Sequence, residues 1–291
     1  MCNDCGALVG SGLPRRHNRL NGQGKCREGL MADTTGQGYI YAFNVSDTEQ
    51  NFSMLPDDVQ FQIEKEIVDV IFESFVMPAD HDYLAARALA IGGLNRSFFW
   101  SASQTVEKYI KAFLLLQGVS IRPFSQGHGL KRLLEEARKV EADFDCIDLA
   151  PHPGLQLPNG GVGLVHFNLA SYIAELEKQG SASNRYNNYG ERYNTGHLFA
   201  LDSLAYSLRN KMGLPDLADS FRGRLSTDFR RYLYDNNPYW APADFTHTVL
   251  PSAVFPIRHA TASTTWGYVK KRQGQSAAIT RSWITTKMKI E

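Results

Sequence analysis

The stretch from 95 to 117 limits what this 291-residue chain can fold into more than any other part of it. Phe99, Ala102, Val106, Tyr109, Ile110, Phe113 and Leu114 recur at helical spacing and form one broad apolar stripe. Glu107 and Lys111 stand four residues apart on another face. A stripe of that width must be buried against other elements, so it predicts a helix packed among helices, with Gly118 as its stop.

Similar periodicity extends on both sides. Val59, Ile63, Ile67, Val70 and Ile71 predict a helix from about 57 to 77, with Asp57 and Asp58 offering a cap and Pro78 closing it. Asp80 then caps a short helix carrying Tyr83, Leu84, Ala88 and Ile91, ended by Gly92 and Gly93. Further helices are expected from 128 to about 141, at 168–179, through Leu198, Leu201, Leu204, Ala205 and Leu208, and from about 217 to 233. The expected fold class is therefore all-α for the most part: an antiparallel up-and-down bundle of four to five core helices with an inserted loop and irregular termini. In domain terms, residues 1–56 are expected to be disordered or loosely attached, 57–235 to form the bundle with an insertion at about 142–190, and 236–291 to be an irregular basic tail. Met31, followed by Ala-Asp-Thr-Thr, also reads as an internal translation start.

Charge is unevenly spread. The net +1 divides into +3 over residues 1–31, +6 over 258–291 and −8 over the rest, so non-specific binding of nucleic acid over the whole surface is disfavoured. No run approaches the roughly 18 apolar residues of a membrane span, and the first thirty residues lack the apolar block of a secretory signal. With only four cysteines the chain is no disulfide scaffold, and a cytoplasmic address without membrane partners is expected.

Specific residues then suggest a family. Gln104, Glu107, Lys108, Lys111 and Ala112 match an aromatic-x-A-x-Q-x-x-E-K-x-x-K-A helix, and His128, Leu130 and Leu133 match the His-x-Leu-x-x-Leu helix start that follows it. Asp82-Tyr-Leu-Ala-Ala-Arg87 looks like the preceding helix, and Glu191-Arg-Tyr193 like an arginine-tyrosine element. In this order and spacing, over about 80–141 and 190–212, the chain resembles the HEPN (higher eukaryotes and prokaryotes nucleotide-binding) domain family. The resemblance implies a helical bundle, often a homodimer. It also implies a protein that binds a nucleotide, RNA or a partner protein, in a toxin, defence or nucleotidyltransferase-associated setting. The alternatives are a metal-independent endoribonuclease and a non-catalytic dimerisation scaffold, since fold alone does not choose among them.

Catalytic members of that family carry Arg-x(4–6)-His, and Arg192-Tyr-Asn-Thr-Gly-His197 has this form. A neutral imidazole near its ordinary pKa can accept a ribose 2′-hydroxyl proton, a guanidinium can hold the phosphate, and Asn194 could orient either. Arg122 and His128 make a second match to the spacing. For ligand binding, Arg96, Lys108 and Lys111 are the cationic candidates. His128, at a helix start, either bonds the preceding loop or faces a ligand. Cys2, Cys5, His17 and Cys26 fit no common zinc spacing, and the glycine-rich stretches lack the Lys-Ser/Thr of a phosphate loop, so no metal and no cofactor are expected.

Overall fold

Helix α3 (Asn95–Leu116) lies at the centre of the molecule, with Phe98, Phe99, Ala102, Val106, Tyr109, Ile110, Phe113 and Leu114 all buried. The computed structural model describes residues 27–32, 38–43, 54–124, 129–155, 157–182, 184, 191–214, 217, 221, 227–240, 258–260 and 264–288. Around α3 stand α2 (Met77–Ile91), α4 (Leu130–Val140), α5 (Leu169–Gln179) and α6 (Gly196–Lys211), each in contact with it. The chain is thus mostly helical, as the periodicity predicts.

Gly93 (φ 72°) and Gly118 (φ 74°) end α2 and α3 where expected. At each, the left-handed glycine lets the next amide reach back to a carbonyl five residues earlier, Leu94 to Leu89 and Val119 to Leu114, both at 2.8 Å. At α5, Asn168 and Ser171 form a reciprocal capping box.

Pro78 departs from expectation. Rather than closing a helix, it lies in the first turn of α2, which follows α1 (Asp57–Ile71) through a π-helical turn at Phe72–Val76. Proline has no N–H and its ring collides with the carbonyl four residues back. The widened turn absorbs this, and the Met77 amide donates to the Phe72 carbonyl, five residues earlier.

Two further expectations are corrected. The terminal segments are not wholly irregular: β1 (Arg27–Ala32) and β2 (Gly38–Phe43) form an antiparallel pair, and the basic tail contains β4 (Arg258–Ala260) and the helices α8 (Thr264–Lys271) and α9 (Gln275–Met288). β4 pairs antiparallel with β3 (Glu191–Tyr193), with Arg192 opposite His259. Of the helix expected at 217–233, α7 (Thr227–Tyr234) is present. The insertion holds short 3-10 turns at Ala142–Cys146 and Pro158–Gly161 together with α5.

Two buried ion pairs cross between α2 and α6. Arg87 pairs with Asp202, and Asp80 with Arg209 at 2.5 Å, all four side chains being 2% exposed or less. Each helix carries its acid seven residues before its arginine, so antiparallel packing sets each acid against the other helix's base. The phenol of Tyr83 donates to Asp202 at 2.6 Å, and that of Tyr109 donates to Asp80. Burial, with the neighbouring carboxylate, raises both phenols well above their ordinary value, so they remain donors. Arg87 also donates to the carbonyls of Tyr232 (2.6 Å) and Asp235 (2.5 Å), which ties the end of α7 to the pair.

Candidate functional site

The Arg192–His197 element sits where β3 turns into α6. From Gly196 to Ala205 every residue of α6 is buried, so this is an interior helix and its first turn is enclosed. Asn194, 1% exposed, fastens that turn to the preceding loop. Its Oδ1 accepts from the Val165 amide at 3.1 Å and the Gly196 amide at 2.9 Å, and its Nδ2 donates to the Gly163 carbonyl at 3.0 Å. Those bonds hold the amide in place, so Asn194 positions backbone.

His197 is 2% exposed. Its ring lies 5.2 Å from the Phe99 ring, 4.6 Å from Phe167 and 5.7 Å from Tyr193 between centroids. Nδ1 is 3.0 Å from the Asn194 amide nitrogen and 2.9 Å from its carbonyl oxygen, so Nδ1 is satisfied in either tautomer. The Tyr172 hydroxyl donates to the His197 carbonyl at 2.7 Å. Burial lowers the imidazole from 6.5 to about 4; the Asn194 backbone and Glu175 oppose this and the nearby Arg192 charge adds to it. Arg192 itself is exposed. The element therefore joins one exposed guanidinium to one enclosed, neutral imidazole.

The joint is close-packed. A Cβ at Gly196 would lie 2.1 Å from the Val165 carbonyl oxygen, a backbone atom that no rotamer change can move aside. Gly196→Ala is expected to cost about 1–3 kcal/mol and to displace the loop at 163–165. Chemical denaturation, with amide exchange at Val165, measures both.

The other cations lie on α3. Lys108 is paired with Asp82 and Lys111 with Glu107 at 2.6 Å. The two lysines are about one turn apart, whereas Arg96 is twelve residues earlier, ~18 Å along the helix. Arg96 is exposed and three residues from Phe99, which touches His197, so Arg96 and Arg192 lie towards the same end of the bundle. Arg192, Asn194 and His197 thus lie together where β3 meets α6, Arg96 lies near the start of α3, and Lys108 and Lys111 are ion-paired further along that helix. His128 lies outside the described residues, as do Cys2, Cys5, His17 and Cys26. Among the described residues, no group of three or more His, Cys, Asp or Glu could hold a metal ion, and no helix is long and apolar enough to cross a membrane.

Sequence reasoning missed the crossed Asp80–Arg209 and Asp202–Arg87 pairs, having read Asp80 as a helix cap. Its usable signal was the same acid-x6-arginine spacing on two apolar helices.

Residues 72–150 match the model of the HEPN domain. No curated protein and no solved structure matches the chain. The matched span runs from the π-helical turn through α2, α3 and α4 and includes Arg96, Lys108 and Lys111, while Arg192, Asn194 and His197 lie beyond it. Residues 72–150 of this chain are a HEPN domain.

Proposed function

We propose that this chain is a non-cleaving HEPN protein that binds the phosphate of a nucleotide or RNA at the end of the bundle bearing Arg96 and Arg192. A HEPN domain supports a nucleotide- or RNA-related role in general. The observation that carries the non-cleaving part is the state of His197: it is enclosed by aromatic rings, satisfied by the Asn194 backbone and lowered to about 4. A base that weak takes little of a proton from a ribose hydroxyl near neutral pH. Arg192, exposed at the end of β3, presents a planar donor set suited to a phosphate.

The test uses the full chain with a single-stranded RNA oligonucleotide and with ATP, in EDTA. The RNA is expected to stay intact with the native protein and with His197→Ala. Binding of at least one ligand is expected to weaken in Arg192→Ala and Arg96→Ala, with a shallower salt dependence for each charge removed. Cleavage that leaves 2′,3′-cyclic phosphate ends and disappears in His197→Ala would overturn the proposal.

That outcome is the second reading, a metal-independent endoribonuclease. One observation favours it: the Arg192 charge acts on the His197 imidazole, and both residues belong to the joint between β3 and α6. The toxin, defence or nucleotidyltransferase-associated setting, and a nucleotidyltransferase as partner, extend the same resemblance.

A further inference from the structure

No acidic residue occurs between 264 and 288, the segment that forms the α8–α9 hairpin. The inner side of the hairpin rests on Val269 against Ile284, a cluster separate from the main core, and on the buried Ala277. Arg281 is committed to that inner side, donating to the carbonyls of Val269 and Arg272. Lys271, Arg272 and Lys287 are exposed, and no carboxylate of the hairpin itself is there to neutralise them.

Two aromatic side chains are exposed among these charges. Trp283 on α9 is 58% exposed, one turn after Ile279, and Tyr268 on α8 is 61% exposed. The Arg272 guanidinium carbon lies 5.9 Å from the centre of the Tyr268 ring, and Arg272 also donates to the Ser276 hydroxyl at 2.9 Å, so this cation is held beside a ring. Lys287 follows Trp283 by four residues, on the same face of α9. Thr280, Ser282 and Thr286, all exposed, surround the indole with hydroxyl groups. A bilayer would need a continuous apolar band at this face. Hydroxyls, ammonium groups and an open indole suit phosphates and bases instead.

The hairpin is also tethered to the candidate site. In the β3–β4 register His259 stands opposite Arg192, and α8 begins at Thr264. The step from His259 to Thr264 spans at most ~18 Å of chain. Residues 32–257 carry a net −8, so the body of the protein repels a polyanion and leaves the hairpin to attract it. We propose that the hairpin is an arm for an unpaired nucleic-acid strand, whose bases stack on Trp283 and Tyr268 and whose phosphates meet Lys271, Arg272 and Lys287. The end of the bundle bearing Arg96 and Arg192 then receives part of a strand rather than a lone nucleotide. This rests on the phosphate-binding reading above and names its ligand class. The arm lies outside residues 72–150, the span that matches the HEPN model. Because every base has a face to stack, the arm adds affinity without reading sequence.

Fluorescence anisotropy on the full chain tests this with a uridine RNA of roughly 12 nucleotides, a thymidine DNA of the same length and an RNA duplex, alongside calorimetry with ATP. The native chain is expected to bind a single strand about tenfold or more tighter than either the duplex or ATP. Trp283→Ala with Tyr268→Ala is expected to weaken strand binding by about tenfold or more, and Trp283→Phe to retain most of it. ATP, which reaches only the Arg96 and Arg192 end, keeps its affinity in these variants. Lys271→Gln with Lys287→Gln is expected to reduce the slope of log affinity against log salt by about 1.4. A preference for the RNA names that strand as the ligand, and equal binding of RNA and DNA shows an arm that ignores the sugar; both support the proposal. Three results would each overturn it: strand binding unmoved by the hairpin variants, a duplex bound as tightly as the single strand, or binding to phosphatidylserine vesicles that the hairpin variants abolish while strand binding persists. Loss of strand binding in Arg96→Ala and Arg192→Ala alone would keep the phosphate reading and remove the arm. Loss in the hairpin variants alone would do the reverse, and a chain that binds neither strand nor ATP would remove both.

Discussion

Replacing Arg87 with methionine is expected to lower the unfolding free energy by about 3–5 kcal/mol, because it strands the Asp202 carboxylate in a dry core. In a domain of this size that corresponds to a fall of roughly 10 °C in Tm. The loss also includes the bonds from Arg87 to the Tyr232 and Asp235 carbonyls, so the last turn of α7 should exchange its amides faster. Arg87→Lys should not rescue the protein, since an ammonium presents a single point of charge where three acceptors are spread around a planar fork. Adding Asp202→Leu to Arg87→Met should restore most of the loss, because an apolar pair of similar volume carries no desolvation cost. Arg209→Met should behave in the same way through Asp80. Urea titrations of the single and double variants measure each term, and additive losses in the Arg87/Asp202 double variant would contradict the pairing.

The second large effect is acid sensitivity centred on His197. Its folded value, about 4, lies below its ordinary 6.5, so between these pH values the unfolded chain binds a proton that the folded chain refuses. Stability from this group is therefore complete above about pH 6.5, is lost as the pH falls towards 4, and changes no further below that. The gap corresponds to roughly 3 kcal/mol. Carboxylates titrate in the same window. Burial raises Asp202, against the pull of Arg87 and Tyr83, and raises Glu141 more than Lys211 lowers it. A carboxyl raised in this way contributes with the opposite sign, so the histidine is isolated by difference. His197→Phe should flatten the stability profile between pH 6.5 and 4 relative to the native chain, although it is less stable at pH 7 through loss of the Nδ1 contact. A native profile that does not steepen there would contradict the enclosed, neutral imidazole.

How far these features were legible in the sequence depends on whether the signal was local. The stripe of α3 and the glycines at 93 and 118 could be read because periodicity and backbone freedom act over a few residues. Pro78 misled because its rule concerns an ideal α-helix, and the π-helical turn that relieves it leaves no mark in composition. The helices α8 and α9 escaped because their Thr- and Ser-rich faces carry no continuous apolar stripe. The Arg192, Asn194 and His197 pattern was visible as spacing, but its environment was not. That Phe99 and Phe167, 98 and 30 residues away, would enclose the imidazole is a tertiary fact, while the inward face of α6 was foreshadowed by Leu198, Leu201, Leu204, Ala205 and Leu208. The crossed Asp–Arg pairs needed two helices to be compared at once, which single-helix periodicity does not do.

The crossed pairs also decide how this bundle can move. If α2 slid along α6 by one helical turn, ~5.4 Å, neither acid would reach its arginine and four charges would be stranded in the interior. The bundle therefore has no low-cost ratchet between these two helices, a motion that other helical proteins use to switch state. The two helices form a frame that keeps its alignment, since a one-turn shift would break both pairs at once.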